Sequence, residues 1–230
     1  MELNYLLRSV GSHILRRNQF VEVGNNVWAY YDGNGNRVRG RRNINGQELF
    51  FDQNGIQIKG RVANDNGVIR YFDANSGEMA RNRFVEIEPG VWSYFNNDGA
   101  AIKGSQNING QELYFDQNGR QVKGYAVRNN GKMSYYDTNS GELYRNRFAE
   151  LNGNWYYFDA NGQSVTGEQT INGQRLYFDN EGKQVKGRLV YNGNRARYYD
   201  PNSGEMVVNR SVQVSPGRWV YFNGQGWGQF

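Results

Sequence analysis

Short runs in which aromatic or β-branched residues alternate with polar ones recur along the 230-residue chain, separated by turns built on Asn-Gly, Asp-Gly or Ser-Gly. WAYYDGNGNRVRG from Trp28, ELFFDQNGIQIKG from Glu48 and VIRYFDANSGEMA from Val68 show the pattern three times in succession. Each has a paired aromatic, an acidic residue, a glycine turn and a second short alternation. A period of two marks a strand with one buried face, and Asn and Gly accept the positive φ of a tight turn. The pattern therefore predicts strand, turn, strand, and continuing it along the chain gives ten hairpins, the last being WVYFNGQGWGQF.

A longer repeat sits above this one. NINGQEL at Asn43 returns at Asn107 and again as TINGQRL at Thr170, steps of 64 and 63 residues. Trp28, Trp92, Trp155 and Trp219 keep the same step, as do DANSGE at Asp73, DTNSGE at Asp137 and DPNSGE at Asp200. The residue missing from the second step falls between EIEPGVW and ELNGNW, where a loop absorbs it. Isolated two-stranded hairpins are unstable in water, so they must stack on one another. The predicted fold is all-β: a β-solenoid of about ten stacked hairpins, three to each turn of about 64 residues, over residues 18–230. Residues 1–17 fit poorly. They suit either a degenerate repeat end, since Leu15, Arg17, Asn18 and Phe20 align with Leu143, Arg145, Asn146 and Phe148, or a short amphipathic helix on Leu3, Leu7, Val10 and Ile14.

The aromatic pairs indicate which side faces inward, because adjacent strand residues point to opposite faces. The first members are nine Tyr and one Phe, from Tyr30 and Phe50 to Tyr221; the second are seven Phe and three Tyr, from Tyr31 and Phe51 to Phe222. A ring without a hydroxyl is cheaper to bury, so Phe51, Phe72, Phe95, Phe115, Phe158 and Phe178 should form the core. The Tyr-rich column should lie nearer water, between hairpins.

Composition narrows the chemistry. Aromatic residues make up 15% of a chain whose mean hydropathy is −0.87, so the core is built from rings. With no Cys there are no disulfides, thiolate metal sites or thiol nucleophiles, and the one His, His13, has no partner for catalysis. No apolar run reaches membrane-span length. The net charge of +5 comes mostly from dispersed arginines; Arg41-Arg42, Arg81 to Arg83 and Arg145 to Arg147 read as solvated positions rather than a nucleic-acid surface. The Asp after each ring pair, as at Asp52, Asp116 and Asp179, reads as a turn residue rather than half of a catalytic carboxylate pair, because Asn96 and Asn223 replace it within the same pattern. The D-x-N-S-G-E segments read as glycine-bulged turns rather than calcium loops. No catalytic residue, metal site or cofactor is expected.

The strongest chemical signal is confined to the second hairpin of each repeat: Gln57-Ile58-Lys59-Gly60, Gln121-Val122-Lys123-Gly124 and Gln184-Val185-Lys186-Gly187. Alternation places Gln and Lys on one face, exposed, beside the Tyr-rich column. An amide, an ammonium and a ring suit a neutral sugar, whose C–H face stacks on the ring while the polar groups meet its hydroxyls. The alternative is a solvated strand face repeated by duplication.

The segments INGQELYFDQNGRQVKG and WYYFDANGQSVTG resemble the cell-wall-binding or YG-type repeats of the glucan-binding domains of bacterial glucansucrases and glucan-binding proteins. The resemblance covers about residues 18–230. It implies a non-catalytic module of a secreted or surface protein of a Gram-positive bacterium, monomeric, binding an α-glucan such as dextran or an isomaltooligosaccharide and neither nucleic acid nor membrane. It marks Gln57, Lys59, Gln121, Lys123, Gln184 and Lys186 as sugar ligands, with a stacking ring from Tyr114 or Tyr177 of the same hairpin or Tyr71, Tyr135 or Tyr198 of the next. Phe50 departs from the pattern, since the other repeats carry Tyr there, and no segment resembles a glucansucrase catalytic barrel. Two rivals from other classes are a choline or teichoic-acid anchor and the receptor-binding repeats of clostridial toxins. A choline cage uses several aromatics, commonly Trp, in every repeat of about 20 residues, whereas Trp stands here once in three hairpins.

Overall fold

The computed structural model describes residues 16–230, so the expectations for the first 15 positions, His13 among them, lie outside the described residues. Among the described residues 21 strands form ten antiparallel sheets, of which nine are two-stranded hairpins. The tenth, Arg210–Ser215 with Arg218–Phe222, adds the short strand Gly228–Gln229. The chain divides into two compact units, Met1–Gln106 with Phe115–Gln121 and Asn107–Tyr114 with Val122–Phe230.

Local chemistry sets the turns. At Asn45-Gly46 the two φ angles are 53° and 84°, and at Asn172-Gly173 they are 52° and 82°, the paired positive φ of a two-residue type I′ hairpin. Asp52 Oδ1 accepts hydrogen bonds from the backbone N–H groups of Asn54 and Ile56, and Asn96 Oδ1 does the same for Asp98 and Ala100. One side-chain oxygen is all the turn requires, which is why Asn and Asp interchange there. The missing residue of the 63-residue step also has a structural identity. The ladders shift between Glu22 and Gly24, Glu86 and Glu88, and Gln213 and Ser215, whereas Arg147–Leu151 pairs with Asn154–Phe158 without a shift. The absent residue is the bulge.

Stacking follows from a third segment after each hairpin, which reaches back to the hairpin before. Gln57 N donates to Trp28 O at 2.7 Å and Met79 N to Glu48 O at 2.8 Å in the first unit. In the second, Ser164 N donates to Met133 O and Gln184 N to Trp155 O, both at 2.8 Å. These bonds convert a row of hairpins into a β-solenoid with three hairpins per 64-residue repeat.

Phe51, Phe72, Phe95, Phe115, Phe158, Phe178 and Phe222 are completely buried, as the Phe-rich column predicts, and Tyr136 and Tyr199 join them. Burial raises the Tyr199 phenol to about 12. Tyr31 at the start of this column is only half-buried. The Tyr-rich column does lie between hairpins, where each ring packs on the second-column ring of the next hairpin: Phe50 on Phe72 at 5.5 Å, Tyr71 on Phe95 at 6.1 Å, Tyr177 on Tyr199 at 5.7 Å. This position carries more of the fold than its hydroxyls suggest. Tyr135 and Tyr198 are buried rather than near water, Tyr135 because Tyr144 closes over it at 4.7 Å and Tyr198 because it packs with Val207, Val220 and Phe222.

Candidate functional site

Each Q-x-K segment is a strand fragment held from three sides. In the first repeat Gln57 N bonds to Trp28 O of the preceding hairpin, Ile58 N to Phe50 O of its own hairpin at 2.8 Å, and Gly60 N to Phe72 O of the following one at 2.8 Å. The β-branched residue enters the core, where Ile58 packs with Phe72 and Met79 and Val185 with Tyr199 and Met206. Gln and Lys are left on the opposite face, as alternation requires.

That face is not the open surface that alternation implies. Gln57 is buried, at 9% exposure, and Lys59, Gln184 and Lys186 are half-buried. The reason is the D-x-N-S-G-E turn of the next hairpin, which folds over them. Lys59 Nζ donates to Asn75 O at 3.0 Å, and Lys186 Nζ to Asn202 O at 3.0 Å. Gln184 Nε2 donates to Ser203 O at 3.3 Å. A Cβ on Gly77 would stand 2.3 Å from Gln57 Nε2, and one on Gly204 2.3 Å from Gln184 Nε2, so the turn glycine is required by space as well as by its φ of 74° or 73°. In the middle repeat Gln121 belongs to the first unit, where its N–H bonds to Trp92 O at 2.7 Å, and Lys123 to the second, where Nζ donates to Asn139 O at 2.9 Å.

The turns themselves are built from their acids. Asp73 Oδ1 accepts from Asn75 N at 2.9 Å and Ser76 N at 3.0 Å, and Asp200 Oδ1 likewise from Asn202 and Ser203. Those backbone donors, Ser76 and Ser203 foremost, hold both carboxyls below the ordinary value; Arg83 and Arg210 add to the effect. The Asp oxygens are thus committed to the turn.

Three kinds of group converge on the third-repeat face: the amide of Gln184, the ammonium of Lys186 with N–H donors beyond the one given to Asn202, and the indole of Trp155. The Lys186 Nζ lies 5.7 Å from the centre of that indole, which is 38% exposed. The Trp was missed as a site residue by sequence reasoning. Its signal was present, because it recurs with the Q-x-K step, but that recurrence was used only to measure the period. The tyrosines named as stacking rings are placed differently. Tyr71, Tyr114 and Tyr177 are half-buried against the next hairpin, and Tyr135 and Tyr198 are buried.

The choline-binding repeat family matches residues 38–84, 102–148 and 165–211, and a cell wall binding repeat matches residues 82–101 and 146–164. Glucosyltransferase-S of Streptococcus mutans is 47% identical over 212 residues, 91% of this chain and 14% of that protein. Glucosyltransferase-I of Streptococcus downei is 41% identical over 137 residues, 59% of this chain and 9% of that protein. The chain therefore spans a small part of the length of these relatives. Among solved structures, choline binding protein F of Streptococcus pneumoniae superposes with a TM-score of 0.65 at 22% identity, covering 92% of this chain and 86% of that one. The choline-binding domain of CbpL from the same organism gives 0.61 at 24% identity, covering 84% of this chain and 98% of that one. Both likenesses concern the fold.

Proposed function

We propose, for a chain that belongs to the choline-binding repeat family, that it is a non-catalytic carbohydrate-binding module of a secreted or cell-surface Gram-positive protein, binding an α-glucan through its Q-x-K faces. The sugar ligands in this reading are Gln57 and Lys59, Gln121 and Lys123, and Gln184 and Lys186. A ring is drawn from Trp155 and its counterparts Trp28 and Trp92, or from the half-buried Tyr71, Tyr114 and Tyr177. The carrying observation is the recurrence of one arrangement at three positions: the Gln N–H on a Trp carbonyl and the Lys ammonium on the carbonyl of the next turn. The glucosyltransferase relatives point to glucan as the polymer. A neutral sugar also suits the indole better than a quaternary ammonium does, because Lys186 already places a cation on Trp155 and a second cation would meet it.

Sugar hydroxyls exchange water bonds for protein bonds at little net gain, so a single face binds weakly. Faces repeated along one chain let a long polymer engage several, which raises avidity about 10²–10⁴-fold. The test removes Gln and Lys together, one repeat at a time, and measures binding to long dextran and to a short isomaltooligosaccharide. Binding to the long polymer should fall steeply with each removal while affinity per remaining face for the short sugar holds. Trp155→Ala should weaken the third face by about 1 kcal/mol, roughly fivefold. Equal loss for long and short ligands, or dextran retention unchanged with all three pairs gone and the fold intact by circular dichroism, would refute the assignment.

A further inference from the structure

The first repeat carries a second feature, away from its Q-x-K face. A cleft of about 770 to 800 Å³ size class, 800 Å³ here, lies between the first two hairpins and is lined by Tyr30, Asp32, Asn36, Val38, Asn43 and three arginines, Arg37, Arg39 and Arg42. The arginines are poorly neutralised. Arg37 Nε donates to the Tyr31 hydroxyl at 2.9 Å and Arg42 Nη1 to Arg41 O at 2.8 Å, neither partner being a carboxylate. Arg39 makes no hydrogen bond or ion pair among the described residues. The lone acid, Asp32, spends Oδ1 on the N–H groups of Asn34 and Asn36. Arg41, by contrast, is paired with Asp65 at 3.4 Å and Glu48 at 3.9 Å, and it does not line the cleft.

The fold does not require these charges. The same backbone recurs at residues 101–106 and 164–169: Val38 N bonds to Tyr30 O at 3.0 Å, Ile102 N to Tyr94 O and Val165 N to Tyr157 O at 3.1 Å, and the following glycines have φ of 70°, 72° and 73°. At the arginine positions those copies carry Ala101, Lys103 and Gln106, and Ser164, Thr166 and Gln169. A duplicated segment that keeps its backbone and collects three unneutralised guanidinium groups in one copy has a local reason for them.

We propose that this cleft binds a phosphodiester-bearing polyanion of the polyol-phosphate kind, independently of the Q-x-K faces. Guanidinium groups match phosphate oxygens in bidentate geometry, and a cleft lined with one sign of charge concentrates a polyanion. The positive field already acts on its surroundings: Arg37 and Arg16 hold the Tyr31 phenol below its ordinary value. A nucleic acid fits less well. The one ring in the cleft, Tyr30, packs edge-on against Phe20 at 4.9 Å and offers no free face on which a base could stack.

The test uses the whole chain and the variant Arg37→Ser/Arg39→Thr/Arg42→Gln, whose residues the third repeat carries on the same backbone. Binding is measured to a synthetic glycerol-phosphate oligomer, to inorganic phosphate and to a single-stranded oligonucleotide with the same number of phosphates. The triple variant should lose at least tenfold in affinity for the oligomer at low salt and about two units of its log–log salt dependence, by the usual cost of three phosphate contacts. Its dextran retention should not change. A control, Arg128→Ser/Arg188→Thr/Arg195→Gln, removes the same charge from the second unit and should retain oligomer binding. The proposal is overturned if the control loses as much as the triple variant, if inorganic phosphate binds as tightly as the oligomer, or if the oligonucleotide binds more tightly.

Discussion

The Q-x-K segment of the first repeat, Gln57–Gly60 in number, and that of the third, 184–187, are the same device in different surroundings. Both lysines reach the next turn's carbonyl at 3.0 Å, and both glutamines press on a turn glycine at the same limiting distance. The rings behind them differ: Phe50 on Phe72 in the first, Tyr177 on Tyr199 in the third. The exposure of the amide differs too, Gln57 being buried and Gln184 half-buried. The invariant part is therefore the contact between successive hairpins, and the variable part is what the face offers to solvent. One set of side chains serves both stacking and recognition, so the two roles have to be separated by experiment.

The largest effect belongs to the shared core. Phe178→Ala should cost about 3–5 kcal/mol, read as a lowered midpoint in denaturant, because the ring is fully buried and a solenoid contact cannot easily collapse. Phe51→Ala in the first repeat should match it; a clear difference between them would mean that the two repeats do not share one core.

A smaller effect probes the clamp. Gly204→Ala should cost about 2 kcal/mol, more than Gly173→Ala, since both need positive φ but only Gly204 has a side chain, Gln184, in the space a Cβ needs. Repeating Gly204→Ala in a Gln184→Ala background should recover the excess. If the cycle shows no coupling, the contact between glutamine and turn is not what keeps glycine there.

The smallest effect concerns acid. Asp200 has a folded value below its unfolded one, so its contribution is present above the unfolded carboxyl value near 3.9 and is lost as the pH falls through the folded value. Asp200→Asn should keep the turn, as Asn96 and Asn223 do at the neighbouring turn type, while flattening the stability profile below about pH 4. Asp73→Asn should do the same in the first repeat. A profile unchanged in both variants would assign the acid response to other groups.

Much of this was legible before any coordinates. The alternation of Phe72 with Tyr71, the Asn-Gly turns and the step from Trp28 to Trp92 lead directly to stacked hairpins and to the buried Phe column. The site was legible only in part. Gln184 and Lys186 were visible as a repeated pair, but nothing near them in the chain shows that the turn of Asn202 and Ser203, 16 to 19 residues on, closes over them. The Trp155 indole was hidden for the same reason, since it precedes Lys186 by a whole hairpin.

Sequence by itself determined the strands, turns, repeat length and inward column, because each depends on neighbours in the chain: alternation fixes which way a side chain points, and Asn or Gly fixes where the backbone can reverse. Tertiary structure alone decided which groups meet. Whether Tyr135 is buried or wet, whether Gln57 faces water or a turn, and whether Arg37, Arg39 and Arg42 share one cleft all depend on how one hairpin lands on the next. That landing is set by bonds such as Ser164 N to Met133 O, between residues about half a repeat apart, and no local pattern encodes it.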